Sequence, residues 1–121
     1  MLAQETGEYV HGEFHATAST GGEIALYNID GNARVLAADE RLVVTDVLVA
    51  HDNGGDVAVY LDKDDDNTLD AGETVIRVPA SANGGAAFNF AGIPRWGAEG
   101  AKPHVVCPSG TIDAILTGFI F

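Results

Sequence analysis

Basic residues are scarce in this chain. Six Lys and Arg stand against 18 Asp and Glu, for a net charge of −12. Such a surface repels phosphates, which argues against nucleic acid as a partner. It argues equally against an anionic membrane surface. What remains is a solvated surface, a cation site, or docking on a basic partner. Cysteine is nearly missing: Cys107 is the only one, so no intrachain disulfide is possible. It sits in the apolar run "HVVCPS", the setting of a buried, inert thiol. No base or electropositive neighbour is in sight to make it a nucleophile. Long apolar runs are absent, and none reaches the length that spans a bilayer. The opening "MLAQETGEYV" has no basic segment followed by an apolar run, so no export signal is read there. No useful length of chain repeats its apolar residues with a helical period, and Leu36 to Leu42 would hold one helical turn at most.

What the chain does have is β pattern almost throughout. Its 121 residues suit one domain able to bury a real core. In "YVHGEFHATA", Val10, Phe14 and Ala16 fall on one face, and Tyr9, His11, Glu13 and His15 on the other. "STGG" then breaks the run. "EIALYNI", a short "ARVLAA", the Val-rich "RLVVTDVLVAH", "VAVYLD", "TVIRVPA", "AAFNFAG", "HVVCP" and "TIDAILTGFIF" follow as strands. Ser109-Gly110 separates the last two. The runs "TGGE", "NGGD" and "NGGA" read as hairpin turns, with no helix after them to offer its N-terminus to a phosphate. The spacing predicts an all-β, single-domain β-sandwich of about eight to nine short antiparallel strands. A jelly-roll-like order is favoured, with Greek-key alternatives open. Residues 1–8 read as an N-terminal arm and residues 9–121 as the sandwich domain.

The final strand is apolar on both faces. Ile112, Ala114, Leu116 and Ile120 share one; Ile115, Phe119 and Phe121 share the other. Such a strand is either central or covered by another chain. A subunit contact through Ile115, Phe119, Ile120 and Phe121 is one expectation, and an end tucked into its own core is the other.

Between two of the strands lies "YLDKDDDNTLDAGETV". Counted from Asp62, carboxylates stand first, third and fifth (Asp62, Asp64, Asp66), ninth (Asp70) and twelfth (Glu73). Thr68 stands seventh, where a backbone carbonyl serves. This is the ligand spacing of an EF-hand loop, because alternate residues of a tight loop aim oxygens at one hard cation. The sixth place, usually Gly, is Asn67, the next most tolerant of positive φ. Asp65 adds charge with no ligand role. Six carboxylates this close repel one another without a cation, and an all-oxygen set favours calcium over magnesium. Strands rather than helices flank the loop, so it joins a β-hairpin. From Tyr60 to Glu73 it resembles the D-x-D-x-D-x-x-x-D-x-x-E calcium loops of bacterial surface β-sandwich modules. That resemblance implies a structural Ca²⁺ on Asp62, Asp64, Asp66, Asp70, Glu73 and the Thr68 carbonyl.

Other constellations are weaker. His11, Glu13 and His15 on one pleat face would need a fourth ligand, from His51 or His104, to hold zinc or iron; a solvated polar stripe is the plainer reading. Ser19, Ser81 and Ser109 lie in turn-like segments, none in a nucleophile elbow. Abundant carboxylates alone do not make a glycosidase pair. Trp96 beside Arg95 reads as a packed loop or a stacking pair. No enzyme is predicted.

From Val43 onward, "VTDVLVAHDNGGDVAVYL", "IRVPASANGGAAFNFAGI" and the closing "GTIDAILTGFIF" resemble a recurrent class of small bacteriophage virion proteins. In that class a Phe-rich strand precedes a last G-T-x-D-x-x-x-T-G-[FY] strand. The resemblance implies a jelly-roll decoration (cement) protein that stabilises a phage capsid. It would stand on the capsid exterior as a homotrimer on the major capsid protein, after assembly in the host cytoplasm. The acidic loop is no part of that pattern. It leaves a second expectation: a calcium-stabilised, secreted or cell-surface adhesion or carbohydrate-binding β-sandwich.

Overall fold

A computed structural model of the chain describes residues 7–53, 55–80, 84–90 and 92–121. Eight antiparallel strands form it: β1 (Glu8–Glu23), β2 (Ala25–Asn28), β3 (Leu42–His51), β4 (Gly55–Asp62), β5 (Thr74–Ala80), β6 (Gly84–Asn89), β7 (Arg95–Trp96) and β8 (Lys102–Ile120). No helix occurs among the described residues. The fold is all-β, in one small sandwich-like domain, as the alternation predicts.

The long strands β1 and β8 pair along most of their length and carry everything else. The order β2-β1-β8-β3-β6 makes one wing, with β7 added to β3. The start of β8, from Lys102 to Val106, instead pairs with β4, and β4 pairs with β5, making the second wing. Both wings send side chains to one core, Val10, Val44, Val47, Ile112 and Leu116 from the first and Val57, Val59, Val75 and Val105 from the second. That convergence requires β1 and β8 to bend in mid-strand. β1 does so between Ala16 and Gly21, where its register against β8 slips twice. Ala18 sits at φ 49° and Gly21 at φ 109°. The bend is sharp enough that Ala25 returns to pair with Glu13. A Cβ on Gly21 would lie 2.0 Å from the Val105 carbonyl oxygen, so only glycine lets the two backbones approach there.

Several sequence expectations are corrected by this arrangement. "STGG" does not end a strand; it bulges within β1, because the partner β8 continues past it. "HVVCP" and "TIDAILTGFIF" are one strand, since Ser19 pairs across the Ser109-Gly110 step. "ARVLAA" is no strand: only Ala33 bridges, to Tyr27, and Arg34 turns its guanidinium to Glu8 and Glu40. "NGGD" is no hairpin turn, because β3 and β4 pair with β8 and not with each other, so this connection crosses between wings. Gly84 and Gly85 of "NGGA" already belong to β6. Of the predicted arm, residues 1–6 lie outside the described residues, and Glu8 is in β1, paired with Ile120. Ser81 also lies outside them.

Candidate functional site

The acidic loop joins β4 to β5 as a true hairpin, closed by the Leu61 N–H donating to the Glu73 carbonyl at 2.9 Å. Asp62 ends β4 and is 1% exposed. Its Oδ2 accepts the Asn67 N–H at 2.8 Å, while its Oδ1 is buried with no hydrogen-bond partner among the described residues. Asn67 holds φ 58°, the left-handed turn expected of the sixth place. Glu73, 4% exposed, accepts the Lys63 N–H at 2.9 Å and the Asp70 N–H at 2.8 Å, one on each oxygen. These bonds fix the first and twelfth carboxylates before any ion arrives. Asp66 accepts the Thr68 N–H at 2.9 Å.

The predicted carboxylates converge. Oxygens of Asp62, Asp64 and Asp66 lie within 4.8 Å of one another, and so do those of Asp64, Asp70 and Glu73. Thr68 is exposed, with its hydroxyl bonded back to the Asp66 carbonyl. The charge density shows in the acids themselves. Desolvation, the Asp62 and Asp66 carboxyls and the charge on Asp70 push Asp64 up to about 6. Burial pushes Asp62 the same way, but the Asn67 N–H, the Asp64 carboxyl and His104 hold it below the usual carboxylate range. Burial and the nearby Asp62, Glu73, Asp66 and Asp70 raise the Tyr60 phenol to about 12. Neighbouring carboxyls pushed in opposite directions mark acids crowded together with little positive charge between them. An oxygen-rich pocket with an unpartnered, buried Oδ1 suits a hard divalent cation.

Sequence reasoning gave no place in this site to His104. It is 2% exposed on β8, with its ring 5.3 Å from the Tyr60 ring and its Nε2 3.7 Å from Asp62 Oδ2. Only the pairing of Tyr60 with His104 brings them together, and nothing local in the sequence announces it. The other histidines do not converge. His11 bonds Glu13 and stacks on Tyr27, His15 turns to Asp113, and His51 bonds the Pro108 carbonyl at 2.8 Å. Cys107 is buried, and that burial raises its thiol. The Ser19 hydroxyl accepts the Gly21 N–H at 3.0 Å.

A second feature is the outer face of the first wing. Cross-strand register places Tyr9, Phe119, Val43 and Trp96 in one row, and Glu13, Ile115, Leu48 and Ala87 in another. Between the two rows Asp46 accepts bonds from the Thr45 and Thr117 hydroxyls at 3.0 Å and from Asn89. Leu48 and Ile115 are 44% and 45% exposed and line a shallow cavity of about 300 Å³. Trp96 is 59% exposed and stacks on Phe121 rather than plugging the core. Arg95 lies over the Phe90 ring. Of the predicted contact residues, Ile115 and Phe121 are exposed and Phe119 is half-buried on the outer face. Ile120 is 3% exposed inside the core and offers no surface. Compared with protein-family models, with curated proteins and with solved structures, the chain shows no match.

Proposed function

We propose that the chain is a structural protein that works by burying surface against other protein. The setting is the one its sequence resembles: a decoration protein on the exterior of a bacteriophage capsid, bound as a homotrimer to the major capsid protein. The observation that carries this reading is the outer face of the β1-β8-β3-β6 wing. Its aromatic and aliphatic rows leave Tyr9, Leu48, Ile115 and Trp96 between 41% and 59% exposed on one sheet face. Apolar surface costs roughly 25 cal/mol per Å² in water, and a face of this kind marks a contact with another chain. A central strand that is apolar on both sides fits a self-associating subunit, and closed symmetric assembly is the usual outcome. The net charge of −12 suits a partner with a basic docking surface.

Sedimentation velocity tests this directly. The parent chain sediments as a trimer and co-sediments with capsids lacking their decoration. Ile115→Glu, which places a charge in the aliphatic row, gives a folded monomer that no longer binds them. A parent chain that stays monomeric at high concentration and ignores capsids removes the reading. The geometry of the acidic loop favours a second reading, a calcium-stabilised adhesion or carbohydrate-binding module. Its mark would be a monomer that binds glycans.

A further inference from the structure

Behind the carboxylate that ends β4 lies a second, smaller set of ligating groups. Register puts Tyr60, His104 and Glu23 side by side across β4, β8 and β1. Asp62, two residues beyond Tyr60, points to the same side of its strand. The Nε2 of His104 is buried and has no hydrogen-bond partner among the described residues. It stands 3.7 Å from Asp62 Oδ2 and 4.0 Å from Glu23 Oε1. Both distances are too long for a hydrogen bond. They are close to the separation of about 3.4 Å between two ligands of one tetrahedral ion with bonds near 2.1 Å. Asp65 completes the set: one ligand atom each from Asp62, Asp65 and His104 lie within 4.8 Å of one another. Asp65 found no role in the calcium spacing, and here it has one.

We propose that His104, Asp62 and Asp65 hold three places of a second cation site, for a divalent transition metal of the zinc class, with Asp62 shared between it and the acidic loop and Glu23 at its rim. The imidazole decides the metal. Calcium and magnesium take oxygen, whereas a neutral histidine nitrogen beside carboxylates suits zinc and its neighbours. Asp62 has an oxygen for each side: Oδ2 faces His104, and Oδ1 is left for the loop. A metal here would satisfy a buried nitrogen that is otherwise costly to leave bare. It would also pin the end of β4, β8 and the loop at one point. The inference is independent of the capsid reading.

Cobalt(II) is the probe, because its visible spectrum reports nitrogen-oxygen tetrahedral coordination. The chelator-stripped full chain is titrated with cobalt in saturating calcium. One equivalent of intense visible absorption is expected, and zinc abolishes it. His104→Gln removes the absorption, and Asp65→Asn weakens cobalt binding at least tenfold. Asp65 is exposed, so that variant folds whether or not His104→Gln does. Asp70→Asn, in the loop alone, weakens calcium binding and leaves the cobalt spectrum in place. Absence of the absorption in the parent chain, or unchanged cobalt affinity in Asp65→Asn, overturns the site. Because the calcium response is read separately, either site can fail without the other.

Discussion

Gly118→Ala is expected to be among the most damaging single-methyl additions the chain can receive. Gly118 lies between Val10 of β1 and Val44 of β3, on the central strand β8. A Cβ there would stand 2.1 Å from the Val43 carbonyl oxygen and 3.2 Å from the Val44 Cα. Ordinary contact begins near 3.4 Å, so the shortfall against the carbonyl is about 1.3 Å. The obstacle is backbone, which cannot swing aside as a side chain can. β3 must retreat just where it already bulges, between Val44 and Asp46. Retreat by more than an ångström breaks about two ladder hydrogen bonds at roughly 1 kcal/mol each, and overpacking adds about 1–3 kcal/mol. A loss of about 3–5 kcal/mol follows. At roughly 2.1 cal/mol/K of unfolding entropy per residue, 121 residues give about 0.25 kcal/mol/K, so the melting temperature falls by roughly 12–20 °C. Gly31→Ala is the control: φ is 84° but nothing lies within 4 Å, so only the left-handed backbone is penalised, by about 1 kcal/mol. Thermal unfolding followed by circular dichroism reads both. If Gly118→Ala melts within 2 °C of the parent, or no lower than Gly31→Ala, the close approach of β8 to β3 is not a constraint.

Two further outcomes follow from the acids. The Asn89 amide and the Thr117 hydroxyl hold the Asp46 carboxyl below its usual range, with burial opposing them and the Thr45 hydroxyl assisting. Its folded value therefore lies below its unfolded one. Its stabilisation is complete above the unfolded value of about 4 and is lost as pH falls through the folded value. Denaturant titrations between pH 5 and pH 2 should show a shallower acid loss for Asp46→Asn than for the parent; equal slopes would remove Asp46 from the account. Calcium at about a hundred times its dissociation constant should add roughly 2.7 kcal/mol, or about 11 °C by the same entropy. A chelator should reverse that shift and Asp62→Asn should abolish it, whereas an identical melting temperature with and without calcium would leave the loop a plain acidic turn.

The acidic loop was legible in the sequence because every part of it is local. Asp62, Asp64, Asp66, Asp70 and Glu73 are placed by their spacing along one hairpin, and Asn67 adopts the positive φ that its position demands. The alternation of β1 was legible for the same reason: Val10 is buried and Glu13 exposed, as period two requires. What escaped depends on partners far away in the chain. Gly21 looks like a turn glycine until Val105 is laid against it. His104 looks like one more residue of an apolar run until Tyr60 and Glu23 flank it. Alternation puts Ile120 and Ile115 on opposite faces, but both faces are apolar, and only the packing of β8 between β1 and β3 decides that the first is core and the second surface. Gly84 and Gly85 read as a turn because glycine breaks strands on average. Here Gly85 stays in β6 because a Cβ would meet the Val49 carbonyl oxygen at 2.7 Å.

That both wings hang on β8 has a consequence for how the chain comes to be folded. Every other strand but β2, β5, β6 and β7 pairs with it directly, and it follows all of them in sequence. During synthesis the residues before β8 have no central strand to pair with, and β1 and β3 each wait with one edge bare. The pairings that join the two wings are therefore committed late, with long loops to close before they are rewarded, although the β1–β2 and β4–β5 pairs are local. The waiting chain is the species most open to aggregation. A strand that belongs to two wings leaves no half of the domain able to form, or to survive, alone.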